Sequence, residues 1–173
     1  MAIINMALIV RGGPPQQFEK NDNFVTSKEG WEVVKKYIPE NLKIWCPFYH
    51  GGEVTNLFDY DNIIHAKTDF FTWQPEEDWD IICDNPPYSI KKNVIKRCIE
   101  LGKPFALLMP DDTIERQYFR NLVVDNPDVR FSIVIPRNRI KFIKNGVSGS
   151  NPIVTYWYLF NILEGDKNLI FEN

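Results

Sequence analysis

Trp79-Asp80-Ile81-Ile82-Cys83 is an apolar run that leads directly into Asp84-Asn85-Pro86-Pro87-Tyr88. The run predicts a strand over Asp80 to Cys83. Two prolines follow it, so no helix can start at once and the backbone stays extended. That extension holds the Asn85 carboxamide and the Pro86 carbonyl at the strand's carboxyl end, with the Tyr88 ring beside them. A flat ring bearing an NH2 group could donate one hydrogen bond to each oxygen while stacking on Tyr88. Such a socket suits methylation of a planar amine.

Working outward, the same grammar repeats. Leu42-Lys43-Ile44-Trp45-Cys46 reads as a first buried strand and Asn62-Ile63-Ile64-His65 as a second. Pro104 to Met109 is another apolar strand, ended by Pro110. A helix follows Thr26 or Ser27, either of which can cap it, with Trp31, Val34, Tyr37 and Ile38 at helical spacing. Glu53 to Phe58 suggests a short helix. Ile90 to Leu101 reads as a helix stopped by Gly102. A third long helix is expected from an Asp111 or Asp112 cap to about Val124. Phe131 to Ile135 and Ile153 to Phe160 are two last strands, joined by a long polar loop and expected to pair as an antiparallel hairpin. Continuously apolar strands alternating with helices imply an α/β fold with a mostly parallel sheet covered on both faces. Ligands of such sheets bind beyond the carboxyl ends of the strands. Pro47-Phe48-Tyr49-His50-Gly51-Gly52 and Asn85 to Tyr88 both fall there.

The bulk properties set limits. The chain has 173 residues, enough for one solid core, with 44% hydrophobic and 14% aromatic content. Residues 1–20 read as an irregular arm, Gly- and Pro-rich from Arg11 on, and 21–173 as a single domain. No apolar run reaches the ~18 residues that span a membrane. Ile3 to Val10 is a poor signal peptide, so a cytoplasmic protein is expected. Cys46, Cys83 and Cys98 lack metal-ligand spacing and read as buried reduced thiols. The formal net charge is −3, so any nucleic-acid contact must use a local basic patch.

The ordered segments resemble the compact phage and bacterial adenine-specific (N6) DNA methyltransferases that carry an Asn-Pro-Pro-Tyr motif. The resemblance covers roughly residues 20–160. It implies a Rossmann-like class I methyltransferase fold, S-adenosylmethionine as cofactor, and a host-cell cytoplasmic setting if phage encoded. Asn21-Asp22-Asn23-Phe24 is similar to the family's N-terminal cofactor segment, which brings in Asp22 and Phe24. Trp45 to Gly52 is similar to the loop at the cofactor's methionine side, which brings in Pro47, Phe48, Tyr49 and Gly51. Asp69-Phe70-Phe71 is similar to the acidic-aromatic segment near the cofactor adenine, which brings in Asp69 and Phe70. Ile135 to Phe142 is similar to the Arg-Ile-x-Phe segment before the final hairpin. The catalytic set implied is Asn85, Pro86, Pro87 and Tyr88, with Asn85 also touching the cofactor. Two departures stand out. His50-Gly51-Gly52 replaces the family's usual Gly-Asp-Gly, and Ala66-Lys67 lies where an acid usually holds the ribose hydroxyls.

Asparagine is no general base. Its work here would be to orient the amine and stabilise charge developing on nitrogen, with rate gained mainly from positioning. Tyr88 would stack on an extruded base. Arg137, Arg139, Lys141 and Lys144 are candidate contacts to a substrate backbone, as are Lys91, Lys92, Lys96 and Arg97, although a charge run is usually a solvated face. His50 and His65 read as structural. The small chain implies low sequence specificity, action on single strands, or a protein partner that supplies recognition. DNA and RNA remain equal expectations. Two other readings fit the residues: methylation of a protein glutamine amide, and a catalytically silent module that binds nucleic acid or protein.

Overall fold

The computed structural model describes residues 24–58, 61–144, 147–149, 153–165 and 169–172. The expected arm at 1–20 and the candidate Asp22 lie outside them.

Ser27 caps the first helix: its side chain accepts from the Gly30 N–H at 3.3 Å. Strand β1 (Val25–Thr26) leads into α1 (Lys28–Lys35), then β2 (Ile44–Trp45), α2 (Val54–Leu57), β3 (Ile63–Ile64) and β4 (Ile81–Asp84). There follow α3 (Lys91–Leu101), β5 (Phe105–Pro110), α4 (Gln117–Asp125), β6 (Phe131–Ile135), β7 (Phe142–Lys144), β8 (Val147–Gly149), β9 (Thr155–Phe160) and β10 (Leu169–Phe171). Among the described residues, seven strands form one sheet in the order β10-β6-β9-β5-β4-β2-β3, and β1-β7-β8 form a second. Strands β3, β2, β4 and β5 run parallel, and β9 enters antiparallel between β5 and β6.

The pleat explains why these short runs are apolar throughout. Ile44, Ile81, Cys83, Ala106, Leu108, Trp157 and Leu159 face one side, where Trp31 and Val34 of α1 and Phe58 pack. Trp45, Ile82, Phe105, Leu107, Met109, Tyr158 and Phe160 face the other, against Val94, Ile95 and Cys98 of α3 and Phe119 of α4. Both faces are covered, so a polar residue on either would be buried. A fully buried Ile, Leu or Phe contributes about 1.5–3 kcal/mol, against about 1 kcal/mol net for a hydrogen bond. The sheet therefore fixes where the loops begin, and loop hydrogen bonds set their fine shape.

The second sheet clamps α1. Thr26 pairs with Phe142, and Ser27 N–H donates to Lys141 O at 3.1 Å. A Cβ on Gly30 would lie 2.7 Å from both Ile140 Cγ2 and Thr26 Cγ2. Only glycine lets the helix approach this closely. The Trp157 indole N–H donates to Gly30 O at 2.9 Å, tying α1 to the large sheet.

Three sequence expectations change in detail. The strands at 44 and 63 are two residues long each. No aspartate caps α4. Asp111–Glu115 form a separate 3₁₀ turn, and α4 starts after an extended Arg116 with no side-chain cap. Residues 110–111 are tied to β9, where the one hydroxyl hydrogen of Tyr158 is shared between Pro110 O and Asp111 O, 3.1 Å from each. The final hairpin is also larger than expected: β6 and β9 do pair antiparallel, but β7 and β8 leave the sheet between them and β10 adds beyond β6.

Candidate functional site

After β2 the chain winds outward to β3, then returns to the opposite side of β2 to form β4. The gap between the carboxyl ends of β2 and β4 is thus the switch point where open α/β sheets bind ligands. Residues 46–52 leave one strand there and residues 84–88 leave the other.

Asp84 joins the two loops. Its carboxylate is fully buried. Oδ2 accepts from the Phe48 N–H at 2.7 Å and Oδ1 from the Asn85 N–H at 2.8 Å. Burial pushes its pKa well above the usual carboxylate range, against the opposing pull of those two donors. Burial and the adjacent Asp84 likewise raise the Cys46 and Cys83 thiols, so neither is a reactive thiolate. Among the described residues no cluster of His, Cys, Asp or Glu could hold a metal.

Asn85 is held at three points. Its main-chain N–H is bonded to Asp84. Its main-chain oxygen lies 2.6 Å from His50 Nε2, which must carry the proton because a carbonyl only accepts. Its Nδ2 donates to the Phe24 carbonyl at 3.2 Å, which fixes which end of the carboxamide is oxygen. Oδ1 is buried and has no hydrogen-bond partner among the described residues. Several other buried side-chain atoms share that state, among them Trp31 Nε1 and Trp45 Nε1 within aromatic clusters and Thr155 Oγ1 in β9; Asn85 Oδ1 is set apart by its place at the switch point. Pro86 and Pro87 are buried and extended into a 3₁₀ turn, Tyr88–Ile90, that carries the half-buried Tyr88 ring.

On the β2 side, Phe48 and Phe70 are fully buried, with ring centroids 5.3 Å apart. Their rings pack the core, and the Phe48 N–H is already used by Asp84. Asp69 Oδ1 accepts from the Phe71 N–H at 2.9 Å, an Asx turn that shapes this loop. His50, Gly51 and Gly52 have φ of 37°, 79° and 85° in succession. A Cβ on Gly51 would meet nothing within 4 Å, so this turn borders open space. His65 braces the loop from β3: Nδ1 lies 2.8 Å from Cys46 O and Nε2 3.2 Å from Tyr49 O. Its ring stacks on Tyr49 at 5.2 Å. Burial holds its pKa below the ordinary imidazole value, although both carbonyls favour the cation.

Arg137, Arg139, Lys141 and Lys144 are exposed on the segment entering the small sheet, anchored by buried Ile140 and Phe142. Lys144 Nζ sits 5.0 Å from the Phe24 ring centroid. The basic segment therefore reaches the residue whose carbonyl holds Asn85. Sequence reasoning placed Asn85, Tyr88 and the 46–52 loop correctly at one end of the sheet. It did not foresee the clamp by Asp84, the contact from His50, or the carbonyl role of Phe24. A lone acid closing an apolar strand was the available signal for Asp84.

This architecture is the Rossmann-like methyltransferase fold. Among solved structures the chain is similar to the crystal structure of the 23S rRNA methyltransferase ErmE, with TM-score 0.52 and 11% identity over 79% of this chain and 68% of that one. It also aligns with a tRNA methyltransferase, TrmI from Aquifex aeolicus, with TM-score 0.47 and 10% identity over 86% of this chain and 74% of that one. The first of these defines the fold; identities this low define no more. No protein-family model and no curated protein matches the sequence.

Proposed function

We propose that this chain is an S-adenosylmethionine-dependent amino-methyltransferase acting on adenine N6 in DNA or RNA. The observation that carries the reading is Asn85 Oδ1: a buried acceptor on a residue held at three points, without a hydrogen-bond partner among the described residues, at the switch point. Burying such an oxygen unpaired costs about 1–3 kcal/mol, a cost that a ligand's N–H removes.

Bound S-adenosylmethionine would supply an electrophilic methyl group on a sulfonium. The turn at Gly51 has room beside it, and Phe24, Pro47, Phe48, Tyr49, Asp69 and Phe70 shape the surrounding wall, the buried rings through packing alone. Lys67, exposed after β3, stands where the resembled family has its ribose-binding acid. Asn85 Oδ1 and the Pro86 carbonyl accept the two amine hydrogens, and Tyr88 stacks on the ring. With the cofactor bound, the nitrogen lone pair would take its methyl group as the C–S bond breaks, leaving a thioether and a positive charge on nitrogen. Both oxygens stabilise the positive charge on nitrogen until a proton leaves to water. No side chain has to change protonation state.

A nucleic-acid acceptor is favoured by Arg139, Lys141 and Lys144 on the segment that reaches Phe24. The fold is also that of a 23S rRNA methyltransferase. Single strands suit best, because an unpaired adenine avoids part of the cost of unstacking. The test incubates the protein and S-adenosylmethionine with single-stranded DNA, RNA and a glutamine-containing peptide, then digests and weighs the products. Methylated adenine nucleoside is expected. Methylated glutamine would move the acceptor to protein. No methylated product, with no calorimetric binding of S-adenosylmethionine, would leave a silent module.

A further inference from the structure

We propose that His50 is a positioning residue: its Nε2–H grips the Asn85 main-chain oxygen and so sets the acceptor carboxamide from the opposite loop. This rests on the methyltransferase reading of the site. The contact is 2.6 Å and spans the switch point from one loop to the other. His50 holds a φ of 37° to make it, a left-handed conformation that strains a non-glycine residue. Glycine would adopt that turn without strain. A histidine kept there at such cost implies that the side chain does something the backbone cannot.

The geometry limits what that is. The imidazole meets a main-chain oxygen on Asn85, so it touches neither reacting atom and works through the asparagine. Asn85 is then pinned at its N–H by Asp84, at its carbonyl by His50 and at Nδ2 by Phe24. Three anchors on one residue leave Oδ1 little angular freedom. Small misplacements of an acceptor cost rate steeply, since near-attack geometry tolerates only fractions of an ångström. The grip also links the turn at Gly51 to the acceptor segment, so donor-side and acceptor-side geometry move together.

The test compares His50→Gly, which removes the strain and the grip, with His50→Gln, whose amide N–H can replace Nε2–H. Amide hydrogen exchange at Asn85 and Ile90 is read in all three proteins without ligand, alongside kcat, KM and thermal midpoint. In His50→Gly the exchange protection falls several-fold and kcat falls about tenfold. KM for S-adenosylmethionine stays within about threefold and the midpoint within a few degrees, because strain relief offsets the lost bond. His50→Gln restores both protection and kcat. Unchanged protection in His50→Gly overturns the grip, whether or not the wild type transfers methyl groups. Lost protection with unchanged kcat overturns the positioning role. Protection lost and restored as described in a protein that methylates nothing leaves the grip standing and removes the enzymatic reading instead.

Discussion

The loops at 46–52 and 84–88 leave neighbouring parallel strands in the same direction, yet they are held in shape by different means. The 84–88 loop is shaped by its own covalent chemistry: two consecutive prolines keep it extended, and residues 81–87 are buried throughout. The 46–52 loop has less internal restraint: one proline, Pro47, and a turn bond from the Gly52 N–H to Tyr49 O at 2.6 Å. Three successive residues take positive φ, and its course is fixed by Asp84, His65 and Asn85, all on other elements. One loop brings its shape with it, and the other receives its shape from the fold. An acceptor site needs the first kind. A site for a large flexible donor can use the second.

The contrast can be broken from either side. Asn85→Ala should have the largest effect on function, a fall in turnover of about 10³-fold, with stability lower by only about 1 kcal/mol for the lost bond to Phe24. A radiolabelled methyl-transfer assay beside urea unfolding reads both. Asp84→Ala should have the largest effect on stability, since it strands two buried N–H groups, and about 2–4 kcal/mol is expected. Because that carboxylate serves both loops, its loss should also slow turnover; a variant as stable as wild type would mean the loops are not joined there.

The folded pKa of His65 lies below its unfolded value of about 6.5, because burial disfavours the cation. Its contribution to stability is therefore complete above the unfolded value and is lost as pH falls through the folded one. The urea midpoint should drop between pH 7 and 5, and His65→Asn should flatten that slope. A slope left unchanged by His65→Asn would show that the two carbonyls cancel the effect of burial, and a steeper one that they outweigh it. The smallest effect sharpens the acceptor side: Lys144→Ala should reduce the salt slope of nucleic-acid binding by about 0.7–0.9. An unaltered slope would remove Lys144 from the footprint.

The same contrast explains what could be read in advance. Sheet strands were legible because strands buried on both faces are apolar at every position, as at Ile81 to Cys83. Asn85 to Tyr88 was legible because prolines act locally. His50 was legible only as a departure from glycine, since its partner is a main-chain oxygen thirty-five residues away, and no side-chain pattern marks a carbonyl. Phe24 was expected as an aromatic contact, whereas its carbonyl bonds Asn85 and its ring lies beside Lys144. The small sheet was hidden because its strands are two or three residues long, with β7 and β8 in a polar loop and β1 just before α1, and because of their residues only Thr26 and Phe142 bury deeply. Gly30 carried no signal, because the crowding that demands glycine comes from Thr26 and from Ile140, the latter 110 positions along the chain.

The central claim is that the Asn85 carboxamide receives an exocyclic amine. Its side-chain NH2 resonances report this directly in nitrogen–proton NMR. Two single-stranded oligonucleotides would be titrated with S-adenosylhomocysteine present, identical except that one carries adenine and the other purine, which lacks the amine. The account predicts that adenine shifts the Asn85 resonances and purine does not. Equal shifts with both, or none with either at saturating binding, would contradict it.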